Sequence, residues 1–204
     1  MENQQLFLNN VLNINNSDKS YESITFNKTN YSNEEIANKQ FYKCIFESCK
    51  FNDSIIKSCK FEKCIFNNCD LSLVKPMYSS FIDVKFVNTK MIGINWTEAA
   101  MPLDIHLDNC ILNYSSFYGL NLKKIQIKEC TSKEVDYSEA NMSKANLEST
   151  DLSKSKFHNT NLTEANFYNA INYSIDPNSN KLKKTIFSLP EAISLLNSFD
   201  ILLK

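Results

Sequence analysis

Large apolar side chains recur at every fifth residue through most of this chain, a spacing that neither an α-helix nor an ordinary strand can use. Counting from Phe26, the series runs through Tyr31, Ile36, Phe41, Phe46, Phe51, Ile56, Phe61, Phe66, Leu71, Pro76, Phe81, Phe86, Met91, Trp96 and Met101. One step of six leads to Leu107. The series then resumes through Leu112, Phe117, Leu122, Ile127, Ser132, Tyr137, Met142, Leu147, Leu152, Phe157, Leu162 and Phe167. Only Pro76 and Ser132 break the pattern of large apolar bodies. A helix would place such residues at i, i+3, i+4 and i+7, and a half-buried strand at every second position. A fixed period instead means a small unit that buries its apolar side only by stacking on its neighbours.

Two places before each large residue stands a compact one. Cys44, Cys49, Ser54, Cys59, Cys64, Cys69, Ser79 and Ala99 fill this place in the first run. Cys110, Ser115, Cys130, Ala140, Ala145, Thr150, Ser155, Thr160, Ala165 and Ala170 fill it in the second. The other three places are mostly Asn, Lys, Glu, Ser and Asp, so two positions in five face inward and three face water. The chain has 2 glycines in 204 residues. Hairpins and capped helices draw on glycine for positive φ, so asparagine, the next most tolerant residue, is expected to carry the turns.

The segments Ala140-Asn-Met-Ser-Lys, Ala145-Asn-Leu-Glu-Ser and Ala165-Asn-Phe-Tyr-Asn resemble the repeating motif of the pentapeptide-repeat family, and the likeness extends over roughly residues 21–172. The resemblance implies an all-β fold, a right-handed quadrilateral parallel β-helix with four five-residue sides per 20-residue coil. Coils would stack at strand spacing, ~4.8 Å, into a rod ~35 Å long. Residues 20 apart would then form internal ladders: Phe26, Phe46, Phe66 and Phe86; Phe41, Phe61, Phe81 and Met101; Leu107, Ile127, Leu147 and Phe167. Cys44 would lie over Cys64, Cys49 over Cys69 and Cys110 over Cys130. These are read as buried free thiols rather than zinc ligands, because adjacent repeats occupy different faces and zinc needs four converging ligands.

Interruptions divide the chain. Residues 1–20, with Leu6, Phe7, Leu8, Val11, Leu12 and Ile14, are expected to cap the first coil, since an open β-helix exposes apolar cross-section and strand edges at its ends. Residues 21–101 form the first run and 107–172 the second, with the register slip at 102–106. Pro76 is expected to bulge its side into a small loop, the slip to offset the rod, and the inward Ser132 to find a local polar contact. In residues 173–204, Ser188 and Glu191 read as a capping box with Pro190 near the first turn of a short α-helical cap. Ile193, Leu195 and Leu196 should pack on the last coil. An apolar tail of Phe199, Ile201, Leu202 and Leu203 marks an interface, so Ile193, Leu196, Phe199, Ile201, Leu202 and Leu203 are expected to pair two copies as a twofold homodimer.

No catalytic, metal-binding or cofactor-binding residues are expected. His106 and His158 stand without motif partners, no phosphate loop or nucleophile motif occurs, and the acid pair Asp136 and Glu139 is ordinary for a solvated face. A net charge of −1, from 22 basic and 23 acidic residues, argues against a general nucleic-acid binder. With neither an export signal nor an 18-residue apolar run, a cytoplasmic protein without membrane contact is expected. Within the family the chain resembles the Qnr-type quinolone-resistance group. That implies binding to DNA gyrase or topoisomerase IV by DNA mimicry, with a dimeric rod ~70 Å long. Such a mimic needs a continuous acidic face, whereas Asp83, Glu98, Glu129, Glu134, Asp136, Glu139, Glu148 and Asp151 alternate with Lys85, Lys123, Lys124, Lys128, Lys133 and Lys154. The alternative is an interaction scaffold with a different partner, presenting outward residues such as Tyr42, Ile45, Ile55, Ile65, Tyr114, Tyr118 and Tyr168.

Overall fold

In the computed structural model, residue 14, residues 19–199 and residue 201 are described. The expected N-terminal cap residues Leu6, Phe7, Leu8, Val11 and Leu12, and the tail residues Leu202 and Leu203, lie outside them. The chain winds into a right-handed quadrilateral β-helix of about eight coils. All strand pairs are parallel, and in the first run each pairs with the segment 20 residues on: Phe26 with Phe46, Phe46 with Phe66, Phe41 with Phe61, Phe61 with Phe81. The four faces are named here by their inward residues Phe26, Tyr31, Ile36 and Phe41.

Stacking follows from register. The ring centroids of Phe26, Phe46, Phe66 and Phe86 succeed one another at 5.0, 4.4 and 4.9 Å, with nearly parallel planes. Phe41, Phe61 and Phe81 do the same at 4.8 and 5.1 Å. These rings are buried in one continuous core together with Cys44, Cys59, Cys64 and Val84 from the places two before them. Burying a large apolar side chain is worth about 1.5–3 kcal/mol, so one inward residue per repeat offsets a turn that is itself costly.

That cost sits two places after each inward residue, where the backbone turns left-handed. Ser23, Lys28, Asn33, Asn38, Lys43, Ser48 and Asp53 all have φ between 51° and 62°, and the pattern repeats along the rod. Asparagine is only one of the residue types used there: Lys28, Leu73, Tyr78, Glu129 and Glu164 adopt the same conformation. The expectation that asparagine would carry the turns is therefore corrected. The coil imposes the geometry, and the N–H of each such residue donates to a carbonyl one coil on, as Lys28 does to Glu47 at 2.8 Å. Both glycines, Gly93 and Gly119, also stand at this turn position. At Gly93 a Cβ would lie 2.7 Å from Leu73 Cδ2, so the missing side chain makes room for the leucine below.

Turns take two forms, and the compact residue stacked above contributes to which one forms. Where it is apolar, the turn closes with its own hydrogen bond. Ser54 N–H donates to Phe51 O beneath Val74, and Leu120 N–H to Phe117 O beneath Ala140. Beneath most Cys, Ser and Thr residues the turn opens and that side chain bridges the gap, whereas the turns beneath Ser54, Thr160 and Thr185 stay closed. Cys69 Sγ donates to Phe46 O at 3.2 Å and accepts from Cys49 N–H at 3.4 Å. Ser79 Oγ likewise joins Ile56 O and Cys59 N–H at 2.8 and 3.0 Å. Asn180 closes the gap between Phe157 O and Thr160 N–H with both ends of its amide, each at 2.9 Å.

At the interruptions several expectations change. Pro76 is buried in the ordinary inward position and makes no bulge; Ser79 N–H donates to Pro76 O in a closed turn. Proline costs only the rung its missing N–H would have made. Met101 leaves the Phe81 ladder and is 47% exposed, while Leu103 turns inward instead. The extra residue is absorbed there. Pairing resumes 21 residues apart, Val84 with Ile105 and Phe86 with Leu107, and returns to 20 from Leu107 to Ile127. Pairing also runs past residue 172, with Phe187 stacked 5.2 Å from Phe167. The terminal helix spans Glu191–Ser198 and is a 3-10 helix rather than the expected α-helix, with Pro190 at its N-cap and no side-chain cap bond. The expected capping box does not form. Ser188 Oγ accepts from Asn169 N–H at 2.9 Å and the Glu191 carboxylate from Asn172 N–H, so both side chains seal the coil below.

Candidate interaction surfaces

With the interior filled, chemistry is confined to the outward positions and the two ends. The residues read as core ladders, Phe26, Phe46, Phe66, Phe86, Phe41, Phe61, Phe81, Leu107, Ile127, Leu147 and Phe167, are all buried. Cys44, Cys49, Cys64, Cys69, Cys110 and Cys130 are buried free thiols, as is Cys59. They form columns. Thr29, Cys49, Cys69, Thr89, Cys110, Cys130 and Thr150 stack along one edge, Thr29 Oγ1 lying 3.1 Å from Cys49 Sγ and Cys110 N–H donating to Cys130 Sγ at 3.3 Å. A hydrogen bond from the stacked thiol, then burial, pushes Cys64, Cys69 and Cys130 above the ordinary thiol range, and burial does the same for Cys59. The same bond holds the partner thiols Cys44, Cys49 and Cys110 below that range, and all seven are enclosed in the core, the environment of structural cysteines. Ser132 finds the polar contact expected of it, with its Oγ 2.9 Å from the Tyr137 hydroxyl, both side chains fully buried.

Among the described residues no group of three His, Cys, Asp or Glu side chains is placed to hold a metal ion. His106 lies 3.9 Å from Asp104 on an exposed edge, and His158 is exposed on the Ile36 face. A surface depression of about 490 Å³ lies over the Phe41 face beside Lys60 and Glu62, which are paired with each other at 2.7 Å.

The outward charges pair between coils. Lys128 meets Glu148 at 3.8 Å, Lys144 meets Glu164 at 3.4 Å, Lys133 meets Asp151 at 3.2 Å and Lys154 meets Glu134 at 4.0 Å. Asp136 and Glu139 lie on the Ile36 face, where the neighbouring Glu139 carboxylate pushes the Tyr118 hydroxyl above its ordinary range. Ile45 and Ile65 pair directly in register, with Ile45 37% exposed and Ile55 and Ile65 half-buried. Tyr114, Tyr118 and Tyr168 are exposed, joined by Leu73 and Tyr78. Leu73 and Tyr78 occupy left-handed turn corners, which point side chains away from the rod. Their five-residue phase was visible in the sequence. Tyr42 is covered differently: the ammonium groups of Lys43 and Lys63 sit 5.0 and 5.5 Å from its ring centre.

At the C-terminal end the apolar residues divide. Leu195 packs against the core, as expected. Ile193 and Leu196 do not, and together with Phe199 and Ile201 they remain exposed, beside Ile186 and Leu189 at 54% and 80%. A 3-10 helix brings residues three apart to one side, which turns Ile193 and Leu196 outward together. No described helix is long and apolar enough to cross a membrane.

Comparison with known proteins places these features. The family model for a pentapeptide repeat region matches residues 39–102 and 59–137, and that for pentapeptide repeats in eight copies matches residues 138–171. The solved structure of QnrB1, a plasmid-mediated fluoroquinolone resistance protein, is similar over 89% of this chain and 100% of its own, at 18% identity and a TM-score of 0.54. HetL, a pentapeptide repeat protein involved in heterocyst differentiation regulation from the cyanobacterium Nostoc sp. strain PCC 7120, is similar over 82% of this chain and 84% of its own, at 13% identity and a TM-score of 0.51. Both likenesses concern the fold alone. No curated protein matches by sequence.

Proposed function

Because this chain belongs to the pentapeptide-repeat family, whose models match it from residue 39 to residue 171, we propose that it acts by binding another protein along a rigid rod, without catalysis. The observation that carries this is the division of its apolar surface. The core is closed, and beside the exposed apolar residues scattered along the faces a cluster of six, Ile186, Leu189, Ile193, Leu196, Phe199 and Ile201, stands at the C-terminal end. An exposed apolar cluster at the end of a rod is an assembly surface, and a second copy joined there through a twofold axis doubles the rod. Replacing Ile193 and Phe199 with lysine is expected to halve the mass measured by light scattering. An unchanged mass would remove the dimer.

The candidate partner is DNA gyrase or topoisomerase IV, in keeping with the likeness to QnrB1. Surface charge weighs against DNA mimicry as the means. A duplex carries one charge per ~1.7 Å, and here acids are neutralised by lysines one coil away. That interleaving favours the second reading, a scaffold for a different protein partner. A gyrase supercoiling assay with and without a fluoroquinolone separates them. Inhibition, or rescue from the drug, at micromolar protein supports the gyrase partner; the absence of both leaves the scaffold.

A further inference from the structure

The net charge of −1 averages over four faces that are not alike. On the Phe41 face the last four coils present residues 121–124, 141–144, 161–164 and 181–184. These carry six lysines and one glutamate, a net of +5, which leaves −6 for the rest of the chain. Coil register brings them together: Asn121 bridges to Asn141, Asn141 to Asn161 and Asn161 to Lys181, each step one coil. Lys144 is paired with Glu164. Lys123, Lys124, Lys181, Lys183 and Lys184 are exposed and make no ion pair among the described residues. Earlier on the same face the lysines are occupied, Lys60 by Glu62 and Lys43 and Lys63 by the Tyr42 ring.

We propose that this lysine face docks the phosphate backbone of a nucleic acid without regard to sequence. The rest of the face decides between polyanions. Its other outward residues are Asn121, Asn141, Ser143, Asn161 and Thr163, and the asparagines are tied in a ladder, with Asn141 Nδ2 donating to Asn121 Oδ1 at 3.1 Å and Asn161 Nδ2 to Asn141 Oδ1 at 3.2 Å. Lys, Asn, Ser and Thr are the residues that contact phosphate and sugar. A protein partner would need an aromatic or aliphatic anchor, and this stretch of the face offers none. The chain has no arginine, the residue most used to read guanine, so base readout is not expected. Four coils at ~4.8 Å run beside about five or six phosphates of one strand at 3.4 Å each, which matches the number of lysines.

The test is fluorescence anisotropy of the full chain with a fluorescein-labelled 20-base-pair duplex. With four or five phosphates neutralised, the slope of log K against log salt is expected near −4. Affinity should then fall about two to three hundredfold between 50 and 200 mM KCl. Combining Lys181→Glu, Lys183→Glu and Lys184→Glu should abolish binding at 50 mM. Combining Lys50→Glu, Lys90→Glu and Lys156→Glu, the same charge change on other faces, should weaken it far less. Circular dichroism verifies that each variant is folded. No binding at 50 mM KCl, equal loss in the two triple variants, or competition by poly-glutamate as effective as by unlabelled duplex would each overturn the proposal, the last pointing to an acidic protein segment instead. None of these outcomes depends on gyrase or on dimerisation.

Discussion

Cys69 meets both ends of an open turn with a single thiol, and much of the rod's backbone chemistry depends on side chains placed in this way. A buried carbonyl or N–H without a partner costs about 1–3 kcal/mol. Cys69→Ala is therefore expected to lower the melting temperature by several degrees, whereas Cys69→Ser, which keeps a donor and an acceptor, should lose much less. Ser54 shows the reverse case. The turn beneath it is already closed by Glu34 N–H donating to Tyr31 O, and the Ser54 hydroxyl is buried without a partner. Ser54→Ala should raise the melting temperature, and a fall in thermal scans would contradict the bridging scheme. Asp151 makes the pH dependence testable at one residue. Partial burial pushes its carboxyl up, but hydrogen bonds from Ser153, Asn172 and Lys133 outweigh this and hold it down at about 2. A depressed carboxyl stabilises the fold above its unfolded value near 3.9 and loses that contribution as pH falls toward 2. Asp151→Asn should flatten the melting temperature across that window and leave little change in its slope near neutral pH. The positions of the cysteines were legible in the sequence because five-residue counting places them. Which turns open was not, since the side chain that bridges an open turn comes from 23 positions away, a separation that matters only once the coil length is known.

Elements here are sides of a square, and their boundaries follow from which side chain can point inward. Pro76 looked like a break because proline disrupts most strands. It is tolerated because the inward position needs a large apolar body more than it needs one N–H. The slip is the converse. Met101 had the correct type and spacing for the Phe81 ladder, but the extra residue between Ala99 and Ile105 leaves two candidates for one inward place, and Leu103 takes it. Nothing in the local pattern favours leucine over methionine, so this was beyond reach of periodicity. Deleting Pro102 would restore the 20-residue spacing from Val84 to Ile105 and let Met101 turn inward over Phe81. The expected outcome is a cooperatively folding protein with a melting temperature equal to or above that of the parent. A variant that fails to fold, judged by circular dichroism, would show that the coil requires the bulge. The terminal helix was also visible in outline, through Pro190 and the apolar residues after it. Its 3-10 form arises because the two residues expected to cap it, Ser188 and Glu191, are instead bound to Asn169 and Asn172 on the coil below.

At the scale of the whole molecule, each coil touches only the coils on either side, so stability is close to a sum of coil and neighbour terms and opening should start from the ends. The seven thiols report on this directly, because they span residues 44–130 and are all buried. A thiol reacts as thiolate, and in the folded rod burial and stacking hold Cys59, Cys64, Cys69 and Cys130 above their ordinary range. Cys44, Cys49 and Cys110 are shifted the other way, by the hydrogen bond from their stacked thiols, but all seven are buried, and burial means that labelling in native buffer at pH 8 proceeds through opening. The first coils hold the Phe26 and Phe41 stacks, whereas the last are lined by Ala140, Ala145, Ala165 and Ala170, which bury far less area. Fraying should therefore penetrate further from the C-terminal end, where Ile193 and Leu196 add no packing of their own, but the distance from that end to Cys130 exceeds two coils. Cys44, little more than one coil from Tyr21 where the five-residue repeat begins, is expected to label first, Cys130 later, and Cys69 and Cys110 last, as read by mass spectrometry of peptides quenched at intervals. Identical rates at all seven sites would mean that the rod opens in one step, and that its coils are coupled far more tightly than nearest-neighbour stacking provides.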